Sequence, residues 1–216
     1  MPTDQRTAAE IAASLLQINA IKLNVERPFT WASGLRSPIY CDNRLSLSYP
    51  WLRESIASGL SSLTGLHYPG VEVIAGVATG AIAHGLLVAH QLGLPFVYVR
   101  SKPKSHGMGS QIEGLIMEGR KVVVVEDLVS TAKSSIAACR ALEAAGFELL
   151  GMAAIFSYEL EVARKKLEEA GYPFVSLSNV HVLLEVALSQ GIISGRELAI
   201  LREWHQDPSA WSEAVD

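Results

Sequence analysis

The stretch VVVVEDLVSTAKSS, Val122–Ser135, decides the fold of this chain. Four consecutive valines read as a strand buried on both faces, as in a parallel sheet covered by helices on each side. Two carboxylates, Glu126 and Asp127, follow at its carboxyl end, and Ser130, Thr131, Lys133, Ser134 and Ser135 then open onto the helical run IAACRALEAAG. In an open parallel sheet, ligands bind where strands end and loops begin. A helix start presents unpaired N–H groups with partial positive charge, which suits a phosphate, and the hydroxyls of Thr131 and Ser134 add hydrogen-bonding capacity. Two adjacent negative charges would weaken such a site unless they face another part of the ligand. The vicinal hydroxyls of a ribose are such a part, because they donate to carboxylates. The order strand, acid pair, hydroxyl-rich loop, helix therefore predicts a ribose–phosphate cradle. The plainer alternative, a capped helix with solvated acids, explains neither the acid pair nor the hydroxyl cluster.

Outward from that segment the chain alternates short apolar runs with helical stretches. The runs are Val71–Ala75, Phe96–Val99, Val122–Val125 and Leu149–Phe156, and the helices are about Ala81–Leu92, Ser134–Ala145 and Glu159–Ala170. This is the pattern of an α/β domain with a central, mostly parallel sheet flanked by helices. Thr7–Ile18 and Tyr49–Leu63 carry helical spacing, while Ile21–Asn43 mixes aromatic and β-branched residues with Pro28, Gly34 and Pro38 and predicts short antiparallel strands. Ser178–Gln190 and Ser194–Trp204 read as two closing helices, and the polar tail after Asp207 as frayed. With no repeat or long linker, one domain over 1–216 is expected, with a small N-terminal hood at about 19–45 and a core at about 46–206.

Composition narrows the function classes. Of 216 residues 49% are hydrophobic and 19% charged, which fits a globular chain rather than a disordered one. The net charge of −4 offers no general attraction to nucleic acid or to an anionic membrane, so anion binding has to come from local features. Cys41 and Cys139 stand far apart without a Cys or His at metal-ligand spacing, which argues against a disulfide framework or structural zinc. No run reaches the length of a membrane span and the start lacks a signal-peptide core, so a cytoplasmic location is expected.

A second stretch, RSKPKSHGMGSQ, places Arg100, Lys102, Lys104 and His106 within seven residues, followed by Gly107 and Gly109. A cationic, glycine-bearing loop directly after a strand can bring positive charge to an anionic leaving group and close as a lid that excludes water. A solvated basic loop is the alternative on pattern alone. VIAGVATGAIAHG follows another strand, and its Gly76 and Gly80 permit a tight turn, but it is neither a Walker loop nor a G-x-G-x-x-G fingerprint. His84 and His90 in the next helix read as structural, and His67, His181 and His205 form no constellation.

The segment VVVVEDLVSTAKS resembles the motif that binds phosphoribosyl pyrophosphate (PRPP) in type I phosphoribosyltransferases, and specifically that of the bacterial orotate phosphoribosyltransferases. FTWASGLRSPIYCDNR, SYPWLRESIASGL, VEVIAGVATGAIAHG, YVRSKPKSHGMGSQIEG and the region through IFSYELEVARKKLE carry the same likeness over most of the chain. The resemblance implies the type I phosphoribosyltransferase fold and transfer of the ribose phosphate of PRPP to orotate, with Mg2+ held mainly through PRPP and waters and no dedicated protein ligands. It also implies a homodimer with shared active sites, since the family's mobile loop reaches into the neighbouring subunit.

By that resemblance PRPP contacts fall to Arg100, Lys104 and His106 in the lid and to Glu126, Asp127, Leu128, Val129, Ser130, Thr131, Ala132, Lys133 and Ser134 in the cradle. Lys104, His106 and Asp127 carry the catalysis, and Ser130, Tyr40 and Cys41 flank the orotate ring. Tyr40 is the more plausible stacking face, and Phe29 and Trp31 read as packing residues. The chain departs from the family at several points. Ala132 and Lys133 stand where glycines are usual, Thr79 and Gly80 where some relatives have tyrosine and lysine, Ala32 where some have lysine, and Ser101 where some have a second lysine. No counterpart of an arginine for the orotate carboxylate stands near Ser157–Glu159. Two rival readings remain: a relative acting on a purine or uracil, and a non-catalytic PRPP sensor. The chain has no basic helix-turn-helix extension of the kind such sensors carry.

Overall fold

The computed structural model describes residues 5–31, 33–101 and 111–215. The expectations for Ala32, Lys102, Lys104, His106, Gly107 and Gly109 lie outside these. A six-stranded sheet forms the centre, built from β5 (Val73–Val77), β6 (Phe96–Val99), β7 (Ile112–Glu113), β8 (Lys121–Val129), β9 (Glu148–Ser157) and β10 (Phe174–Asn179). Their order is β10-β9-β8-β5-β6-β7, and every pairing is parallel except β6 with β7. The helices are α1 (Gln5–Gln17), α2 (Pro50–His67), α3 (Ala81–Leu92), α4 (Lys133–Ala144), α5 (Glu161–Ala170), α6 (Val180–Ser189), α7 (Gly195–Gln206) and α8 (Pro208–Ala214).

The valine run explains the layering. Side chains alternate across a strand. Val123 and Val125 accordingly enter one core with Leu60 of α2 and Val88 of α3, while Val122 and Val124 enter the other with Ile136 of α4 and Leu167 of α5. All four valines are fully buried, each stabilising the fold by about 1.5–3 kcal/mol before entropy is counted. From β5 the chain winds outward to β6 and β7, then returns to lay β8 on the opposite side of β5 and winds on to β9 and β10. Winding reverses between β5 and β8, and the carboxyl ends of those two strands frame the crevice where such sheets bind ligands.

The hood pairs β1 (Ile21–Leu23) with β4 (Ile39–Cys41), and β2 (Phe29–Thr30) with β3 (Arg36–Ser37), both antiparallel. A 3₁₀ turn, Asn43–Ser48, joins it to α2.

Four expectations need correction. The acid pair lies inside β8, which runs on to Val129, because β9 keeps pairing with it as far as Ser157. Residues 174–179 form strand β10, so the helix expected from Ser178 begins only at Val180. Its alternating Ser176 and Ser178 are buried small side chains that mimic a polar face, and the Asn179 side chain caps α6 by accepting from Val182 N. The short β7, only two residues long, was too brief to register as a run. Beyond Asp207 the chain is helical, since Asp207 caps α8 by accepting from Ser209 and Ala210 N and Trp211 is buried.

Candidate active site

Glu126 and Asp127 sit where β8 outlasts β5: pairing with β5 ends at Val125, two residues before Asp127. Glu126 is 4% exposed, and the Ser135 hydroxyl in the first turn of α4 donates to its Oε2 at 2.9 Å. Burial first, then the neighbouring Asp127 carboxylate, push the Glu126 carboxyl well above its usual range. Burial also raises Asp127, although hydrogen bonds from Glu126 and Leu128 N oppose it. A buried acid beside a half-buried one, both with raised affinity for protons, marks a functional site rather than a solvated turn.

Asp127 faces the turn after β5. An added Cβ on Gly80 would fall 2.0 Å from the Asp127 Oδ2. Only glycine lets the carboxylate lie this close over the start of α3. Val77, Ala78, Thr79 and Gly80 join Glu126, Asp127 and Ser134 in lining a cavity of about 400 Å³, with Arg44 and Asp42 at its rim. Arg44 Nε donates to Asp42 Oδ1 at 2.6 Å, and this pairing, with desolvation opposing it, holds the Asp42 carboxyl below its usual range.

A second cavity of about 730 Å³ opens under the hood. Tyr40, Trp31, Ser130, Thr131, Tyr158 and His205 are among its walls, and Cys41 and Leu128 line both cavities. Tyr40 is 37% exposed and its ring lies 5.6 Å from that of Phe29. Trp31 packs at 5.1 Å on Tyr158 and 5.9 Å on Trp204, and its Nε1 donates to the Ile39 carbonyl at 3.0 Å. It is thus a packing residue, as expected, that also presents a face to the cavity. Among the described lining residues none is Lys or Arg; the charged ones are Glu161 and Asp207.

The predicted cradle residues are not equivalent. Ser130 and Thr131 are half-buried at the cavity under the hood, and Ser134 lines the smaller one. Lys133 is exposed at the first position of α4. Ala132, 3% exposed, adopts the left-handed conformation (φ 58°, ψ 9°) that a glycine would take without strain. Val129 points into the core on the α4–α5 face, so its backbone alone can face a ligand. Arg100, at the root of the basic loop, lies with Nη1 3.5 Å from Glu113 Oε1, while Lys104 and His106 fall outside the described residues.

Several contributors escaped the sequence reading. His205 lines the cavity under the hood and its Nε2 lies 2.7 Å from the Tyr158 carbonyl, yet it comes from the far end of the chain. Tyr158, buried at 1% exposure, is brought in by the end of β9. Ser135 is legible in the sequence only as one of the hydroxyls that open α4, not as the partner of Glu126, and Asn43 sits inside a quoted motif where nothing in its spacing marks it. Among the described residues no cluster of three His, Cys, Asp or Glu offers a metal cage. Glu126 and Asp127 are hard oxygen donors facing the small cavity, a set that fits a magnesium ion retaining waters and phosphate ligands. No described helix is long and apolar enough to cross a membrane.

An acid pair at the reversal of a parallel sheet, followed by a hydroxyl-rich helix start, defines a phosphoribosyl-transfer domain. Residues 65–187 match the family model for the phosphoribosyl transferase domain. The chain is 53% identical over 207 residues to orotate phosphoribosyltransferase of Bacillus cereus, covering 95% of this chain and 99% of that one. It is 50% identical over 212 residues to the enzyme of the same name from Cutibacterium acnes, covering 98% of each. The crystal structure of orotate phosphoribosyltransferase from Aeropyrum pernix superimposes with a TM-score of 0.73 at 28% identity, over 85% of this chain and 99% of that one. The chain belongs to the orotate phosphoribosyltransferase family.

Proposed function

We propose that the chain transfers the 5-phosphoribosyl group of PRPP to orotate, giving orotidine 5′-monophosphate and pyrophosphate in de novo pyrimidine (UMP) biosynthesis. The observation that carries this reading is the seam between the two cavities. The polar cavity holds the acid pair and the Thr79–Gly80 turn, the larger one is walled by aromatic rings, and Cys41 and Leu128 belong to both. A ribose lying at the seam would have its hydroxyls toward Asp127 and Glu126, its 5′-phosphate toward residues 130–134 and its C1 toward the base.

The chemistry is displacement at C1: the C1–O bond to pyrophosphate breaks, the bond to the orotate ring nitrogen forms, and pyrophosphate leaves with the electron pair. The base supplies the nucleophile, so no covalent enzyme intermediate is required. The chain's own residues position the reactants and meet developing charge. Asp127 and Glu126 accept from the ribose hydroxyls and steady the electron-poor ring, Ser130 and Thr131 with the α4 start hold phosphate, and Tyr40 and Cys41 flank the base. Arg100, Lys104 and His106 close over the leaving group. Glu126 and Asp127 would hold a magnesium ion arriving with PRPP, which would supply charge neutralisation at the pyrophosphate. Leu45, Tyr49, Trp51 and Leu86 are exposed large apolar side chains, which supports a homodimer with shared sites, and the free Cys41 and Cys139 suit a reducing cytoplasm.

The test is the loss of orotate absorbance on mixing protein, PRPP and Mg2+, with adenine, hypoxanthine and uracil run in parallel. Orotate as the preferred substrate is the expected result. Conversion of another base in its place would reassign the enzyme, and PRPP binding without conversion of any base would make the chain a sensor. Lys104→Ala is expected to lower kcat strongly, and full turnover in that variant would remove the lid from the mechanism.

A further inference from the structure

Asn43, Ser46 and His84 are fully buried polar side chains for which the transfer reaction has given no role. Buried polar groups destabilise a fold unless they are hydrogen-bonded, so such a set calls for an explanation. The three form one chain. Asn43 Nδ2 donates to the main-chain carbonyl of Asp127 at 2.6 Å, and Asn43 Oδ1 accepts from Cys41 Sγ at 3.3 Å. Ser46 Oγ donates to the Asn43 carbonyl at 2.6 Å and lies 3.3 Å from His84 Nε2. With its proton committed to Asn43, the Ser46 hydroxyl can only accept from the imidazole, which places the imidazole proton on Nε2. Burial keeps His84 neutral, its pKa lowered to about 4, as this arrangement requires.

The chain's position gives it a role. Past Val125 the edge of β8 has lost β5 as a partner. The Asn43 carboxamide takes the place of the missing strand by donating to Asp127. Its other end holds Cys41, which lines both cavities, and through Ser46 it reaches α3, the helix that begins at the Gly80 turn. The base wall and the main chain of Asp127 thus meet on the Asn43 side-chain amide, while the Asn43 main-chain carbonyl carries the link through Ser46 to α3.

We propose that Asn43 is a positioning residue for phosphoribosyl transfer: its side chain, carried on a main chain braced by Ser46 and His84, sets the Asp127 main chain relative to the base-side wall. The proposal rests on the assignment of the two cavities to PRPP and base. Misplacing a reacting group by about 1 Å costs about a hundredfold in rate, so Asn43→Ala is expected to lower kcat about 10- to 100-fold. The PRPP KM should stay within about threefold, because phosphate contacts are untouched.

Asn43→Asp separates positioning from shape. Ionised, the introduced carboxylate cannot donate to Asp127; protonated, it donates there and still accepts from Cys41. Burial beside an acid raises its pKa, so its kcat relative to wild type should recover as pH falls below about 6, whereas that of Asn43→Ala should not. Asp127, Glu126, Cys41, Asp42, Arg44 and His84 are the ionisable groups around the site: Asn43→Ala shows how they titrate with no charge at position 43, and a recovery confined to Asn43→Asp belongs to the introduced acid coupled to them. Should the Asn43 variants fail to fold, Ser46→Ala removes one hydroxyl and is expected to lower kcat about two- to tenfold.

Wild-type turnover of orotate tests the assignment itself, and the variants are then judged against wild type. The proposal is overturned by Asn43→Ala retaining wild-type kcat, by a flat pH ratio for Asn43→Asp, or by Ser46→Ala melting lower with kcat unchanged. A low-pH recovery specific to Asn43→Asp, or a folded Ser46→Ala with reduced kcat, supports it.

Discussion

On the ribose–phosphate side, residues 126–135 carry the acid pair, the hydroxyls and the helix start in unbroken succession. On the base side the wall is drawn from the hood near Trp31 and Tyr40, the end of β8, the Tyr158 segment and His205 at the end of α7. The first half is polar and seated in the sheet, and it holds two acids whose burial is costly. The second half is aromatic and cavity-like and holds no described Lys or Arg. Charge therefore has to be managed on one side and shape on the other, and the two halves should fail differently when altered.

The largest expected effect is at Glu126. Glu126→Gln keeps an oxygen for the Ser135 hydroxyl but removes the carboxylate, and kcat should fall about 100- to 1000-fold, the scale of losing one preorganised transition-state contact. Stability should move the other way. The folded protein holds the Glu126 proton to higher pH than the unfolded chain does. The native state therefore loses stability as pH rises above the unfolded carboxyl pKa of about 4.3 and through the folded value. Gln has no such loss, so the variant should melt above wild type, with the gap larger at pH 8 than at pH 5. In a chain of this size each kcal/mol relieved shifts Tm by about 2–4 °C. Calorimetry at the two pH values with steady-state rates checks both arms, and a variant that melts lower at pH 8 would remove the buried-charge account.

His84 titrates with the opposite sign. Burial lowers its pKa from 6.5 to about 4, so the stability it contributes is complete above pH 6.5 and is lost as pH falls toward 4. That interval corresponds to about 3 kcal/mol for one proton at 1.36 kcal/mol per pH unit. His84→Gln, which can still donate to Ser46, should flatten the acid limb of a Tm-against-pH curve while leaving Tm at pH 8 nearly unchanged. An acid limb as steep as that of wild type would place the acid sensitivity elsewhere.

Legibility in the sequence follows the same division. Four valines, two acids and five polar residues before a helical run are local facts, and they suffice to read a strand buried on both faces and to propose the cradle at its end; the reversal of the sheet beside it is a matter of strand order that no local run contains. The base-side cavity was readable only as far as Ser130, Tyr40 and Cys41, because Tyr158 and His205 reach it by the tertiary path of β9 and α7. β10 was missed for a physical reason as well: Ser176 and Ser178 are buried beside Val175 and Leu177, and small buried hydroxyls look like a solvent-facing register. Asn43 was invisible because its partner, the Asp127 carbonyl, is 84 residues away.

On the base side, Tyr40→Ala should affect one substrate only. A half-exposed ring stacked on a base is worth about 1–3 kcal/mol on truncation. The orotate KM should therefore rise about tenfold, while the PRPP KM stays unchanged. An equal rise in both would mean that the hood and the cradle are not separable and that Tyr40 shapes the whole crevice.

The smallest effect is expected at Ala132, where the chain has alanine in a glycine conformation. The left-handed geometry disfavours a non-glycine residue by about 1–2 kcal/mol. Ala132→Gly removes that strain but also loses a buried methyl, about 0.8 kcal/mol, and gives the unfolded chain about 0.4–1 kcal/mol of extra freedom. These terms nearly cancel, so Tm should stay within about 3 °C of wild type. Ala132→Val lacks the cancellation, because a β-branched side chain at positive φ is strained by its own backbone, and it should melt well below both. Comparable melting of the valine and glycine variants would show that the turn relaxes away from the left-handed region, and the phosphate loop would then be softer than the sheet that carries it.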